Sequence, residues 1–312
     1  MVPTSSVSFP VTSSDTTEGT VSTSTLSYST SNWNTAQTVT VYGVDDTLSD
    51  DNQAFSVTLG SVTSSDVNYA GKNPDDVSVT NVDNETASIT VSALSGNTTE
   101  MGGTATFTVV LGSQPTSDVS IAVSSSDTSE ATISPSSLTF GSSNYSTLQT
   151  VTVTGVDDFY DDDNVSYTIT VDPSSSIASY NTMTSSTVTG SNIDNDTAAI
   201  TVGAKSGNTS EFGTTATINV TLATIPTANV SIVVTDNDST EVSITPTTLT
   251  ITPSTWNTTN QVTLTGQDDS VNDGNITFRI SFGNATSTDS KYNGMAPSPA
   301  FVDVINVDDY ED

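Results

Sequence analysis

The sequence contains neither cysteine nor histidine. No disulfide can cross-link it, no thiolate can act as a nucleophile, and every triad or zinc site that needs an imidazole or a thiolate is excluded. Lack of cysteine leaves an extracellular location open and puts the burden of stability on packing and metal. Cations are nearly missing too: 4 Lys and Arg stand against 36 Asp and Glu, a formal net charge of −32. Such a field repels nucleic acid and anionic membrane, whose partners need basic patches, and attracts divalent cations. No apolar run approaches the ~20 residues that cross a bilayer, so no membrane insertion is expected. The opening Met1–Ser6 has neither the basic start nor the apolar core of a secretion signal, and the chain reads as an internal piece of something longer. Sustained 3.6-residue periodicity is also missing, which predicts essentially no helix.

What the sequence does have is alternation at period two, the mark of half-buried strands. One full set runs Ser88–Val91, Thr104–Leu111, Val119–Val123, then Ala131–Ile133 and Leu138–Phe140 on either side of Pro135 as one broken strand. Val151–Thr154, Tyr167–Val171 and Thr187–Thr189 complete it. About seven short strands with turn residues between them predict an antiparallel β-sandwich. The same order returns from Ile200 to Ile305. The first 84 residues hold it incompletely: Pro3–Phe9 aligns with Pro115–Ile121, so the first two strands are missing. The expected organisation is a partial sandwich at 1–84 and complete ones at 85–196 and 197–312, an all-β rod of tandem units. A sandwich short of two strands exposes an edge; either the missing residues lie upstream in a parent protein or another copy donates a strand.

Acids recur in step with these strands. Gly155-Val156-Asp157-Asp158 with Asp162 lies between two strands. It is matched by Gly43-Val44-Asp45-Asp46 with Asp50, and by Gly266-Gln267-Asp268-Asp269 with Asp273. The glycines stand 112 and 111 residues apart, and a loop copied at fixed period means tandem domains. Distant acids keep the same period: Glu100 with Glu211; Glu18 with Glu130 and Glu241; and, in the closing segments, Asp83 and Glu85, Asp194 and Asp196, Asp308 and Asp309. Two carboxylates about 4 Å apart repel by roughly 1 kcal/mol in water and about 4 kcal/mol near a protein surface. A loop this crowded is costly unless a cation sits in it, and oxygen-only ligands in a flexible loop suit Ca²⁺, which takes six to eight oxygens. A solvated surface accounts for part of the charge but not for its recurrence in the same loops.

The order of these motifs resembles the Calx-β domain. In the second unit the glutamate after the first strand is Glu100. The acid before a strand that leads on to Phe140 is Glu130. A strand then runs into Asp157-Asp158 and Asp162, and the terminal pair is Asp194 and Asp196. The resemblance implies an immunoglobulin-like sandwich that binds Ca²⁺ at one tip, as in sodium–calcium exchangers and large bacterial surface proteins. Carried over position by position, it implies Glu100, Glu130, Asp157, Asp158, Asp162, Asp194 and Asp196 as ligands. In the third unit it implies Glu211, Glu241, Asp268, Asp269, Asp273, Asp308 and Asp309. In the first it leaves Glu18, Asp45, Asp46, Asp50, Asp83 and Glu85 without the early glutamate, a site that is weaker or needs a partner. Asp127–Glu130 departs from the Gly-Ser-Asp-Tyr of typical members, and the Ser/Thr-rich filler is nearer to long bacterial adhesins than to exchanger sensors.

Other signals weigh less. Trp33, Tyr145 and Trp256 share one repeat position, where packing over the sandwich edge is expected rather than sugar binding. Sequons at Asn97, Asn164, Asn208 and Asn275 are what so much Asn, Ser and Thr produce by chance. Paired carboxylates also serve glycoside hydrolysis, but three equal copies at domain ends argue against an enzyme. The expected function is a calcium-binding structural or adhesive segment of a secreted or cell-surface protein. Its partners are neighbouring repeats of the same parent, and Ca²⁺ stiffens loops and junctions. A calcium sensor and a filament subunit built by strand complementation are the alternatives.

Overall fold

The computed structural model describes residues 1–268 and 273–308. Its regular structure is almost entirely β, and three hydrophobic clusters follow one another along the chain. The middle one shows the design most fully. One sheet runs in the order 131–134, 149–155, 104–111, 89–91; the other runs 137–140, 119–125, 165–175, 186–193, 98–99. Between them lie the inward halves of alternating strands: Phe107, Val109 and Leu111 from one face, Ile121, Tyr167 and Ile169 from the other, all nearly inaccessible to water. Burying each such side chain stabilises by about 1.5–3 kcal/mol. The β-branched residues that supply much of this core also favour the extended backbone that places them there.

Two segments differ from the sequence reading. The broken strand around Pro135 is two strands in opposite sheets, because 131–134 pairs with 149–155 while 137–140 pairs with 119–125. The opening strand Ser88–Val91 is present as 89–91, and a strand the sequence reading did not give, 98–99, lies in the opposite sheet parallel to 192–193. Nine strands result, two more than the seven expected. One helical turn, Ala178–Asn181, packs Tyr180 into the core.

The third cluster has the same layers: 200–202, 215–222, 260–266 and 242–245 face 209–210, 301–307, 276–282, 230–236 and 248–251. In the first, strands 25–28, 7–13, 53–59 and 77–81 form one sheet, with 63–64 also beside 7–13. Opposite them, only 19–21 and 41–43 are paired among the described residues. The described residues of this unit begin after the positions that correspond to 89–91, 98–99 and 104–111, and its buried cluster is Val11, Leu26, Phe55 and Val57.

Trp256 and Tyr145 are half-buried against their cores, whereas Trp33 remains 38% exposed. No helix among the described residues is long and apolar enough to cross a membrane.

Candidate metal centre

The acids of the second unit gather at one end because four strand ends arrive there together. Strand 149–155 runs into the acidic loop, and 165–175 leaves it. Strand 98–99 lies beside 192–193, which sets Glu100 next to the closing segment. Glu130 directly precedes Ala131, the partner of Gly155. In the second and third units the glycine that opens the loop is required by space: a Cβ on Gly155 would sit 2.2 Å from the Thr99 carbonyl oxygen, and one on Gly266 would meet the Ser210 carbonyl oxygen at the same distance. Backbone from distant parts of the chain thus passes closely enough to deliver its carboxylates.

Those carboxylates fall into two groups. Oxygens of Glu100, Asp157 and Asp196 lie within 4.8 Å of one another, and so do those of Glu130, Asp158 and Asp162. Glu100 and Glu130 are buried, at 1% and 5% exposure. Burial pushes the Glu100 carboxyl up to about 7, with Asp194, Asp158 and Asp162 adding to the effect and the Asn195 N–H opposing it. Burial also raises Glu130 and Asp196, the latter helped by Asp194. Asp162 belongs to a more exposed residue, yet desolvation of its carboxyl and then the charge of Glu130 and its neighbours push it up to about 6. Every donor is an anionic oxygen, and the cost of ionising them together is what a divalent cation removes. The donor set fits Ca²⁺, with Asp157 and Asp196 joining Glu100 at one group and Asp158 and Asp162 joining Glu130 at the other.

The remaining residues hold the loop in shape. Asp194 Oδ2 accepts from Asp163 N at 2.9 Å, and Asp194 Oδ1 accepts from Asp196 N at 2.7 Å. Asn164 Oδ1 accepts from Asp194 N at 3.1 Å, and Asp158 Oδ1 accepts from Tyr160 N at 2.7 Å. Asp163 sits at φ 64°, Asp51 at 65° and Gly274 at 74°, one repeat position held left-handed in all three loops. Asp suits it because its short polar side chain tolerates that region. Asp83 and Asp308 take backbone N–H groups of their own loops as Asp194 does, from Asp50 and Asp51, and from Gly274.

Sequence reasoning missed one residue of the site. Asn192, 1% exposed, donates to the Val156 carbonyl at 2.9 Å and to Glu130 Oε2 at 3.4 Å, while its Oδ1 accepts from Thr98 Oγ1 at 3.0 Å. Asn81 repeats the first two bonds with Val44 and Glu18, and Asn306 repeats them with Gln267 and Glu241. The signal was present as an Asn two residues before each closing aspartate.

In the first unit Glu18, Asp45, Asp46, Asp50, Asp83 and Glu85 line one cleft of about 210 Å³. Hydrogen bonding by the Glu85 N–H lowers Asp83, and desolvation raises Glu85. In the third, Glu211, Glu241 and Asp308 are buried at the matching end, Asp268 and Asp273 flank the loop, and Asp269 and Asp309 lie outside the described residues. Among the described residues no three-carboxylate group forms there.

No family model matches the chain, and no curated protein matches it. Solved structures do. The calcium binding domain CBD12 of CALX1.1 is 14% identical over 61% of this chain and 77% of that one, with a TM-score of 0.27. Domains 4 and 5 of the S-layer protein SbsC are 16% identical over 60% and 77%, at 0.28. The D00–D0 domain of intimin is 13% identical over 71% and 100%, at 0.23. Likenesses of this size carry neither family nor function to this chain.

Proposed function

We propose that the chain is a calcium-binding structural segment of a secreted or cell-surface repeat protein. Its three sandwiches, divided at 84/85 and 196/197, are stiffened at their junctions by Ca²⁺ held among the loop, closing-segment and glutamate carboxylates. One observation carries the reading: two buried glutamates, Glu100 and Glu130, each share a 4.8 Å cluster with two aspartates. Carboxylates are almost never fully buried without a partner, and here each glutamate's company is largely more carboxylates. The role is support rather than chemistry, since the acids recur at the matching end of each unit, whereas a hydrolase needs its paired carboxylates in one cleft. The closing segment contributes Asp196 to one cluster, while Ala198, two residues on, already belongs to the next core. An ion held there therefore restrains the link between units as well as the loop.

The test is calcium titration followed by thermal melting of the intact chain, with magnesium as control. Calcium is expected to raise the melting temperature saturably, at an affinity near the 10⁻⁴–10⁻³ M typical of extracellular modules. Asp158→Asn together with Asp157→Asn is expected to abolish the response of the second unit. A melting temperature indifferent to calcium and chelator alike overturns the reading.

A further inference from the structure

We infer that the edge strand 89–91 of the second unit pairs with the same strand of a second copy of this chain, joining the two side by side across a two-fold axis. Strand 89–91 ends its sheet and, among the described residues, pairs only with 109–111. Gly112 N donates to the Ser88 carbonyl and Ser92 N to the Thr108 carbonyl, so the even positions turn their backbone groups into the sheet. Ile89 and Val91 therefore turn theirs outward. The third unit shows the same edge occupied. There Val202 N donates to the Ser298 carbonyl and Ser298 N to the Ile200 carbonyl, each at 2.9 Å. Ile200 and Val202 are buried, whereas Ile89 and Val91 are only partly so. Connection 283–300 is long enough to lay Ser298 along the edge. Connection 176–185 is shorter, coils into the turn Ala178–Asn181, and leaves the edge of 89–91 without a partner among the described residues.

Charge separates the two edges as well. At the repeat positions of Leu94 and Thr189 the third unit has Lys205 and Asp303, the latter held by Arg279 at 2.8 Å. Charged side chains and a covering loop are both common guards against edge pairing. The second unit has neither: no charged residue lies between Glu85 and Glu100, or between Asp172 and Asp194. These two stretches wall a groove of about 670 Å³, with Ile89, Val91, Leu94 and Val188 along it. The pattern of the strand selects its occupant. In an antiparallel pairing centred on Thr90, Ile89 of each copy meets Val91 of the other in a hydrogen-bonded pair, so every outward N–H and carbonyl of both strands is used. Ile89 and Val91 then lie on the core face, and Thr90 on the water face, in both copies. The uncharged walls admit another copy of so acidic a chain and offer no counter-charge to a basic partner. The pairing stands apart from the calcium reading.

Sedimentation of the intact chain over a concentration series, in calcium and in chelator, tests this. A reversible dimer is expected in both. Hydrogen exchange should slow with concentration at the Ile89 and Val91 amides and stay unchanged at Thr90, whose amide already faces its own sheet. Thr90 meets its own copy across the axis, where like charges are costly. Thr90→Asp and Thr90→Lys should therefore each weaken the dimer at least about tenfold, and an equimolar mixture of the two should restore it. Thr201→Asp, on the covered edge, should change nothing. The inference is overturned if the chain stays monomeric up to about 1 mM, if Thr90→Asp dimerises as the parent does, or if the mixture fails to reassociate. Loss of the dimer in chelator also overturns it and assigns association to the acidic ends. So does concentration-dependent protection that falls elsewhere, or a monomer whose Ile89 and Val91 are protected by an added peptide of residues 295–300, which would make the occupant a foreign extended segment.

Discussion

The two junctions share a frame and differ in what fills it. In each, the acidic loop of one unit meets the same repeat position of the next: Gln114 N donates to the Thr47 carbonyl at 2.8 Å, and Ile225 N to the Phe159 carbonyl at 2.7 Å. Beyond that bond the side chains diverge. At the first junction Thr47 Oγ1 and Gln114 Oε1 share a hydrogen bond of 2.9 Å. At the second, Phe159 stacks at a tilt on Trp256 with ring centroids 5.8 Å apart, and Lys291 reaches Asp161 and Asp163 at 2.5 and 2.8 Å. Asp161 also accepts from Ala198 N, tying the loop to the start of the next core. Repeat positions 47 and 49 are Thr and Ser at the first junction, and 159 and 161 are Phe and Asp at the second. The backbone contact is therefore a property of the loop, while side chains decide how far a junction holds without a divalent ion. The second has its own cation, so under the proposed function the first is expected to depend more on calcium.

Removing calcium is the harshest way to break that contrast. An ion supplied at about 100 times its Kd contributes roughly 2.7 kcal/mol per site, which for a domain near 100 residues is about 10 °C or more of melting temperature. The chain has no cysteine, so label pairs are easily introduced: Ser78→Cys with Ser120→Cys across the first junction, Thr187→Cys with Thr250→Cys across the second. Chelation should broaden the distance distribution of the first pair much more than that of the second. Equal broadening removes the distinction, and no broadening at either removes the ion.

Asparagines separate the units next. Asn192→Ala leaves the buried Glu130 and the Val156 carbonyl without their donor and should cost about 1–3 kcal/mol in denaturant unfolding. Asn81→Ala should cost less, because Asn81 is only half-buried. These residues also mark how far the sequence could be read. Period, alternation and recurring acids gave the sandwich layers and the end at which the acids lie. An isolated Asn in a chain rich in turn asparagines has no pattern of its own, so its role emerges only once strand 186–193 faces Glu130. The division of carboxylates into two groups was likewise hidden, because spacing along a loop does not say which way neighbouring side chains turn. Asp194, a ligand candidate in sequence, also accepts two backbone N–H groups, a role that spacing does not reveal. Lys291 lies 130 residues from Asp161, beyond any local signal.

Acidity gives a smaller, signed effect. Glu100 moves from an ordinary 4.5 up to about 7 on folding, so the native state holds that proton more tightly than the unfolded chain does. The penalty is absent below about pH 4.5, grows as pH rises, and is complete above about pH 7. In chelator, stability of the second unit should therefore fall across that window, with Asp162, at about 6, contributing in the same direction. Calcium should flatten the profile, because it binds the ionised form. Glu100→Gln should also flatten it in chelator, and a slope left unchanged by that substitution would show that Glu100 is not its source.

The contacts peculiar to the second junction make the smallest and sharpest tests. Phe159→Ala removes an aromatic pair worth about 0.5–1.5 kcal/mol beyond its area, and Lys291→Ala removes two partly exposed ion pairs, each worth at most about 1 kcal/mol. Neither loss should shift global melting by much; both should appear in the label distances across the second junction. Their dependence on salt separates them, since the screening length is about 3 Å in 1 M salt: the lysine effect fades there and the aromatic one persists. The decisive case is Lys291→Ala in chelator. If Lys291 serves as a resident cation, its removal should bring the second junction's sensitivity to chelator up toward that of the first, while in calcium the variant and the parent stay alike. A variant that loosens equally in calcium and in chelator would mean that Lys291 and the metal clusters act on the junction independently, and that the contrast between the junctions is one of packing alone.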